Sequence, residues 1–316
     1  MAPTSSTTHL SSRSRIQPWI QAARPAAHPM IFIPLFMGQA LAFHAHKQFS
    51  TTLFLYTLLF GVLYQVFLLY LNDYADEAID KTNSQYWLSG GSRVLPEGKL
   101  GPGDLLTGAK IAFILMLALT LCLAAFAYRP WMPIALTMAA ALCWTYNMRP
   151  LQLSYRGHGE VLQGLGCGVV LVLIGFYMQH GSLSQFSWRS LIPLYLIFHA
   201  GNIITALPDY LSDRAGDKRT HPVRHGQRHA RTTALFLLAV AHLGVIISSP
   251  GISPAALAII VAPSALILVF IISSGTMRKA DVAEFSFCKK FVTWASASQA
   301  WLLCAWIGAL LIAGSS

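Results

Sequence analysis

Two segments hold most of the acids in this sequence. The first reads Leu71-Asn72-Asp73-Tyr74-Ala75-Asp76-Glu77-Ala78-Ile79-Asp80, and the second Pro208-Asp209-Tyr210-Leu211-Ser212-Asp213-Arg214-Ala215-Gly216-Asp217-Lys218-Arg219-Thr220. On a helix Asp73, Asp76 and Asp80 share a face, and Asn72, Asp76 and Asp80 share an overlapping one. Asp209, Asp213 and Asp217 repeat the four-residue step. Carboxylates stacked this way repel unless a cation neutralises them. An oxygen-only donor set suits a hard cation, and Mg2+ binds through a few carboxylates, keeps waters and completes its shell with phosphate oxygens. Two facing clusters can therefore hold a magnesium–diphosphate unit, the metal stabilising charge on a departing diphosphate. The metal-side set is Asn72, Asp73, Asp76, Asp80, Asp209, Asp213 and Asp217, with Asp73, Asp76, Asp209 and Asp213 as its catalytic members. An EF-hand is excluded, because the loop glycine and the twelfth-position glutamate are absent.

Other polar groups lie nearby in the sequence. Ser89-Gly90-Gly91-Ser92-Arg93 follows the first cluster, and adjacent glycines let backbone N–H groups approach an anion. Arg93, Lys218 and Arg219 are the candidate diphosphate contacts. Trp144 to Glu160 brings Tyr146, Tyr155, Arg156 and Glu160 to the same side. Asn202 lies within an apolar segment and is either a pocket polar group or a satisfied core residue. His221, His225 and His229 stand at helical spacing, but the flanking Arg224, Arg228 and Arg231 make that stretch a poor cation site.

The elements that position these groups are membrane helices. The chain of 316 residues is 55% hydrophobic and 11% charged, against roughly 25% charged for a soluble domain, and its mean hydropathy is +0.54. Nine apolar segments are expected to span: 28–45, 52–72, 105–127, 131–147, 161–179, 190–208, 232–249, 252–275 and 291–313. Pro254 and Pro263 predict a kink in the eighth. With the N-terminus in the cytoplasm, all the Lys and Arg residues except Lys47, Arg129 and Arg189 fall on the cytoplasmic side. That asymmetry predicts active-site loops inside and the C-terminus on the opposite side. It also accounts for the net charge of +10 without a nucleic acid partner. Asp73 and Asp209 follow corresponding spans, which suggests an internal repeat of four helices, about 28–147 and 161–275. Residues 1–23 are rich in Ser and Thr and lack acids. Arg15 to Ala23 is expected to form an interfacial helix with Ile16, Trp19 and Ile20 toward lipid. Residues 24–316 are expected to form one transmembrane domain. The five cysteines form no CxxC pair, so neither a disulfide framework nor a zinc site is implied.

At these residues the sequence resembles the UbiA superfamily of intramembrane prenyltransferases. Asn72-Asp73-x-x-Asp76-x-x-x-Asp80 is similar to its first aspartate motif. Asp209-x-x-x-Asp213, with Lys218, Thr220, Arg224 and Gly226 following, is similar to its second. Arg24-Pro25, the Gly-Gly-Ser-Arg loop and Tyr155-Arg156-Gly157-x-Gly159-Glu160 look most like the menaquinone-type branch, which prenylates 1,4-dihydroxy-2-naphthoate. Asp217 departs from that branch, which usually has Gly before the Lys. The resemblance implies an all-α fold of about nine transmembrane helices around a central cavity, capped by cytoplasmic loops, with Arg24, Tyr155, Arg156 and Asn202 as candidate groups for the acceptor in that cavity. It implies a Mg2+-dependent enzyme of isoprenoid and quinone biosynthesis, transferring a polyprenyl group from its diphosphate to an aromatic acceptor. A terpene cyclase of the same superfamily, needing no acceptor, is the alternative. Ion-coupled transporters also carry membrane carboxylates, but near the bilayer midplane rather than at span ends.

Overall fold

The computed structural model describes residues 12–82, 91–277 and 285–315, and every regular element among them is helical. Helix α1 (Ser12–Ala23) stops at Arg24, whose backbone is left-handed (φ 43°). A single 3-10 turn (Pro25–Ala27) then leads into α2 (Pro29–His46). Prolines 25 and 29 each open a new helical segment, because the first turn needs no N–H from them. The chain bends by 52° between these segments. Next come α3 (Thr51–Ala75), α4 (Glu77–Thr82), α5 (Pro102–Phe126), α6 (Met132–Asn147) and α7 (Gly159–Leu165). A π turn (Gly166–Val170) joins α7 to α8 (Leu171–His180). Then follow α9 (Leu191–Ala206), α10 (Tyr210–Ala215), α11 (His221–His225), α12 (Gln227–Ser248), α13 (Pro254–Ser273) and α14 (Phe285–Ser315). Ser50 and Ser253 cap α3 and α13, accepting the N–H groups of Leu53 and Ala256 at 3.3 and 3.2 Å.

A helix covers every one of the expected apolar segments. Among the described residues, six helices are long and apolar enough to cross a membrane, and the bent N-terminal pair makes up to seven. The expected segments 131–147 and 190–208 are helical as α6 and α9, but each has 16 residues, short of the roughly 20 that an upright crossing needs. By length and composition the count is therefore below the expected nine.

The helices form a closed ring. α2 packs on α3, α3 on α5, α5 on α6, and α6 on α7; the chain continues through α9, α12 and α13 to α14, which returns to α2. α2 and α8 also cross at close range. A Cβ on Gly38 would strike the α8 backbone, and one on Gly175 would strike the α2 backbone, so only glycine lets the two helices meet. α8 is buried on nearly every side, whereas outer helices bury one face only. In α13 only Ile260, Ser264, Leu268 and Ile271 are buried, while Ile259, Leu266, Val269 and Ile272 are exposed. An exposed face this apolar requires hydrocarbon around it, and the chain is an integral membrane protein. Inside the ring, His242 bonds Ser264 at 2.8 Å and Ser264 bonds Ser298 at 2.7 Å, a polar seam joining α12, α13 and α14.

At the N-terminus Ile16 and Ile20 are exposed as expected. Trp19 is not. It turns inward, with its ring 5.8 Å from that of Tyr70, and its carbonyl accepts the Tyr70 hydroxyl at 3.0 Å. α1 thus lies against α3, and its packing partner claims the largest apolar side chain.

Candidate active site

The first cluster runs from the C-terminal end of α3 into α4. Backbone bonds continue through it: Asp76 N–H donates to the Asn72 carbonyl and Asp80 N–H to the Asp76 carbonyl, both at 2.9 Å. Asn72, Asp76 and Asp80 are therefore stacked as their spacing predicts. Asp73, Asp76 and Asp80 are all buried. Asp73 is contacted by the Arg24 guanidinium, by the Ser92 hydroxyl and by the Ser92 N–H, the last at 3.3 Å. Asp76 accepts from Asn72 at 3.1 Å, from the Tyr155 hydroxyl at 2.8 Å and from Lys218 at 2.8 Å. Asn72 also donates to Asn147 at the end of α6, 3.2 Å away. Arg93 donates to the Asp80 carbonyl, and the loop lies so close that a Cβ on Gly91 would overlap the Asp80 carboxylate. Glycine there, with φ +76°, is what lets the backbone cover the acid. Gln21 of α1 holds the same loop by donating to the Ser92 carbonyl at 2.8 Å. Ser89 and Gly90 lie outside the described residues.

The second cluster follows α9 on a short helix, α10. Asp213 N–H donates to the Asp209 carbonyl at 2.8 Å, and the Asp213 carboxylate accepts from the Thr220 hydroxyl at 3.0 Å. The helix then ends. Asp217 takes a left-handed backbone (φ 55°), and Lys218 N–H reaches back to the Asp213 carbonyl at 2.8 Å. This is the pattern of a Schellman turn, with Asp217 at the position glycine usually fills. The turn leaves Asp217 exposed and brings Lys218 inward to Asp76. Ile79 of α4 packs against Gly216, so the two clusters face each other.

Electrostatics agree with that geometry. The Asp80 carboxyl is pushed up to about 7 by burial and by Asp76. Asp213 is also pushed up to about 7 by burial, with Lys218 opposing and Asp209 and Asp76 adding to the shift. Burial works against the Lys218 charge, but Asp76 and Asp213 outweigh it and raise its pKa well above the ordinary value. The Tyr155 phenol is held protonated by burial and Asp76.

The remaining expected residues divide. Arg24 and Tyr155, expected to face a second substrate, both contact carboxylates of the first cluster instead. Asn202 donates to the Tyr146 hydroxyl at 3.4 Å, beside the site. Arg156 is exposed and donates to the Pro150 carbonyl at 2.6 Å, and Arg219 is exposed with only its N–H tied, to the Tyr155 carbonyl at 3.0 Å. These two are not brought to the carboxylates. Asn147 and Ser92 were not singled out by spacing. A buried Asn ending an apolar run was the available signal for the first. His221, His225 and His229 do gather, with ring centroids 4.7–5.6 Å apart. Burial, the neighbouring imidazoles and Arg224 push His221 down to about 4. Glu160, buried, accepts the His221 N–H at 2.5 Å and so ties α7 to α11.

Among the described residues no three His, Cys, Asp or Glu side chains stand in metal-holding geometry. The carboxylates Asp73 and Asp76 are instead engaged by Arg24 and Lys218. The donor chemistry nevertheless fits Mg2+: five carboxylates and an amide, all oxygen, crowded enough that two of them hold protons to about pH 7.

A ring of membrane helices carrying two facing aspartate clusters at one end defines a class of intramembrane enzyme, and the comparisons give the family. Residues 31–297 match the UbiA prenyltransferase family. The chain belongs to that family. It is 26% identical over 231 residues to a 1,4-dihydroxy-2-naphthoate octaprenyltransferase of Bacillus subtilis, covering 72% of this chain and 71% of the relative. A protein of the same name from Haemophilus influenzae is 26% identical over 237 residues, covering 72% and 76%. Among solved structures, a UbiA homolog from Archaeoglobus fulgidus bound to DMAPP and Mg2+ superposes with a TM-score of 0.67 at 16% identity, covering 91% of this chain and 98% of the other. At that identity the likeness is one of fold.

Proposed function

We propose that this chain transfers a polyprenyl group from its diphosphate to a hydroxylated aromatic acid, with 1,4-dihydroxy-2-naphthoate as the acceptor of choice. The observation that carries this reading is the meeting of the two motifs: Lys218 of the second reaches Asp76 of the first at 2.8 Å. The acceptor is the one named for the naphthoate octaprenyltransferases that the chain resembles. Asn72, Asp73, Asp76, Asp80, Asp209 and Asp213 hold Mg2+, which supplies Lewis-acid stabilisation of the leaving diphosphate. Arg93 and Lys218 bind the diphosphate oxygens. The allylic carbon is left facing the interior of the ring, away from water, and the electron-rich ring of the acceptor attacks it. Asn202 and Tyr146 line the acceptor side. Asp217 serves the turn rather than the metal. The N-terminus and the site loops face the cytoplasm, the C-terminus faces the opposite side, and residues 24–316 act as one domain whose two halves meet where α2 crosses α8.

Purified protein in lipid nanodiscs, given prenyl diphosphates of several lengths with Mg2+, with and without naphthoate or benzoate acids, tests this by product mass. Prenylated naphthoate is the expected product. A cyclic hydrocarbon or terpene alcohol formed at full rate, with no acid ever prenylated, would show the cyclase reading to be right and leave only the diphosphate half standing.

A further inference from the structure

The carboxylates assigned above to the metal are already held by the protein's own cations. Arg24 Nη2 donates to Asp73 Oδ1, and Lys218 Nζ donates to Asp76 Oδ2 at 2.8 Å. Asp73 is 2% exposed and Asp76 8%, so both acids depend on these partners rather than on solvent. Neither pair is local: the partners lie 49 and 142 residues apart in the chain. Each cation is also aimed by its backbone. Arg24 adopts a left-handed conformation uncommon outside glycine, fixed by its N–H on the Gln21 carbonyl at 3.2 Å and its carbonyl on the Ala27 N–H at 2.8 Å. Lys218 is turned inward by the left-handed Asp217 before it. Arg24 Nε is buried and has no hydrogen-bond partner. The guanidinium therefore keeps an unused donor beside the one it spends on Asp73, and such an edge fits an oxyanion bidentately.

We infer that Arg24 and Lys218 are exchangeable counter-ions that make metal and diphosphate binding depend on each other. This rests on the function proposed above and goes beyond it by coupling the two binding steps at the site. A divalent cation that takes Asp73 and Asp76 leaves Arg24 and Lys218 without partners in a part-buried position, which is unfavourable. A polyanion with several oxygens relieves both at once, and a diphosphate has the charge and the reach. A diphosphate arriving without metal meets stacked carboxylates and is repelled. Each ligand thus binds well only with the other, and Asp73 and Asp76 stay neutralised throughout. No covalent bond changes in the exchange.

The test uses the full chain in nanodiscs, Mn2+ as a spectroscopic stand-in for Mg2+, and inorganic diphosphate. Mn2+ is titrated alone and with diphosphate, and binding is read by electron paramagnetic resonance. In the native protein diphosphate is expected to tighten Mn2+ on the order of tenfold or more. Direct chelation of the metal by diphosphate contributes to that gain, so the decisive comparison is Arg24→Gln with Mn2+ alone. Removing the competing cation is expected to tighten Mn2+ by about tenfold and to shrink the gain from diphosphate. Lys218→Met is expected to do the same at Asp76, and it serves where the first variant fails to fold. Unchanged or weaker binding of Mn2+ alone in both variants overturns the inference while leaving the proposed function intact. Failure of the native protein to bind Mn2+ even with diphosphate overturns both.

Discussion

The two aspartate clusters share a spacing, and the fold uses them differently. In the first, helical hydrogen bonds run on through Asp76 and Asp80 at 2.9 Å each, and the acids are fixed from several directions by Arg24, Ser92, Asn72, Tyr155 and Lys218. In the second, the four-residue step holds only from Asp209 to Asp213. The chain then turns at Asp217 and delivers a cation across to the first cluster. One region is a preset cup of oxygens, and the other supplies part of a wall and a positive charge. The repeat of a motif sets the kind of donor. Where the helix ends sets which of its members face the site.

The comparison breaks most visibly if either half proves dispensable. Asp73→Ala and Asp209→Ala are each expected to cut turnover by at least about a hundredfold, and excess EDTA is expected to abolish it, because the leaving diphosphate then lacks charge stabilisation. The folding cost should differ between the halves. Asp73→Ala leaves the Arg24 charge without its partner, so that variant is expected to unfold at lower temperature. Near-native turnover in one variant, measured with radiolabelled prenyl diphosphate, would mark its cluster as structural.

A smaller effect is expected at the joint between the clusters. Tyr155 donates to Asp76 at 2.8 Å, and its ring lies 5.2 Å below the Lys218 ammonium. Tyr155→Phe keeps the ring and removes only the hydroxyl. Losing a group that orients a metal ligand costs about 10–100-fold in metal affinity, so the Mg2+ concentration for half-maximal rate should rise while the KM of the acceptor stays put. A rise in acceptor KM alone would return Tyr155 to the acceptor side.

Much of this was legible in the sequence, and the parts that were not have a common cause. Hydropathy located every apolar helix, yet the helices overrun the apolar stretches on the acidic side: 52–72 became Thr51–Ala75 and 232–249 became Gln227–Ser248. A helix can continue for a turn into water, where hydropathy has no signal. Periodicity stacked Asn72, Asp76 and Asp80 correctly, because those contacts are local. It does not extend past Asp213, since the next backbone bond belongs to Lys218, and it gives no sign of the partners of Trp19, Arg24 and Tyr155, which are Tyr70, Asp73 and Asp76 from distant segments. Contacts between distant segments depend on how the ring closes, and no local pattern records that.

Acidity offers a milder test of the same contrast. Asp80 and Asp213, one from each cluster, hold protons up to about pH 7. Metal binds the ionised form, so apparent Mg2+ affinity is expected to rise as pH climbs through about 7 and to level off above it. Stability of the metal-free protein runs the other way. A carboxyl raised in the folded state above its unfolded value near 3.9 contributes stability at low pH that is lost as pH rises toward about 7. Thermal unfolding in EDTA should therefore fall across that window, and Mg2+ should restore it. A metal-free melting temperature that climbs over the same window would contradict the burial of these two acids.

The smallest expected effect distinguishes the third positions of the clusters. Asp80 is buried under Gly91, whereas Asp217 is exposed in a left-handed turn. A left-handed backbone costs a residue with a Cβ roughly 1–2 kcal/mol, though Asp tolerates it better than most, and glycine adopts it freely. Asp217→Gly therefore relaxes the turn without moving Lys218, and turnover and Mg2+ dependence are expected to stay within about twofold of native. The gain in stability should stay below about 1 kcal/mol, because glycine also loosens the unfolded chain. If Asp217 were a metal ligand the same change would cost metal affinity as heavily as a change at Asp213. A direct comparison of Asp217→Gly with Asp213→Asn, in one Mg2+ titration, separates a residue that shapes the turn from one that holds the ion. A loss of similar size in both would mean that the second cluster keeps its helical register when loaded, with Asp217 swung inward beside Asp213.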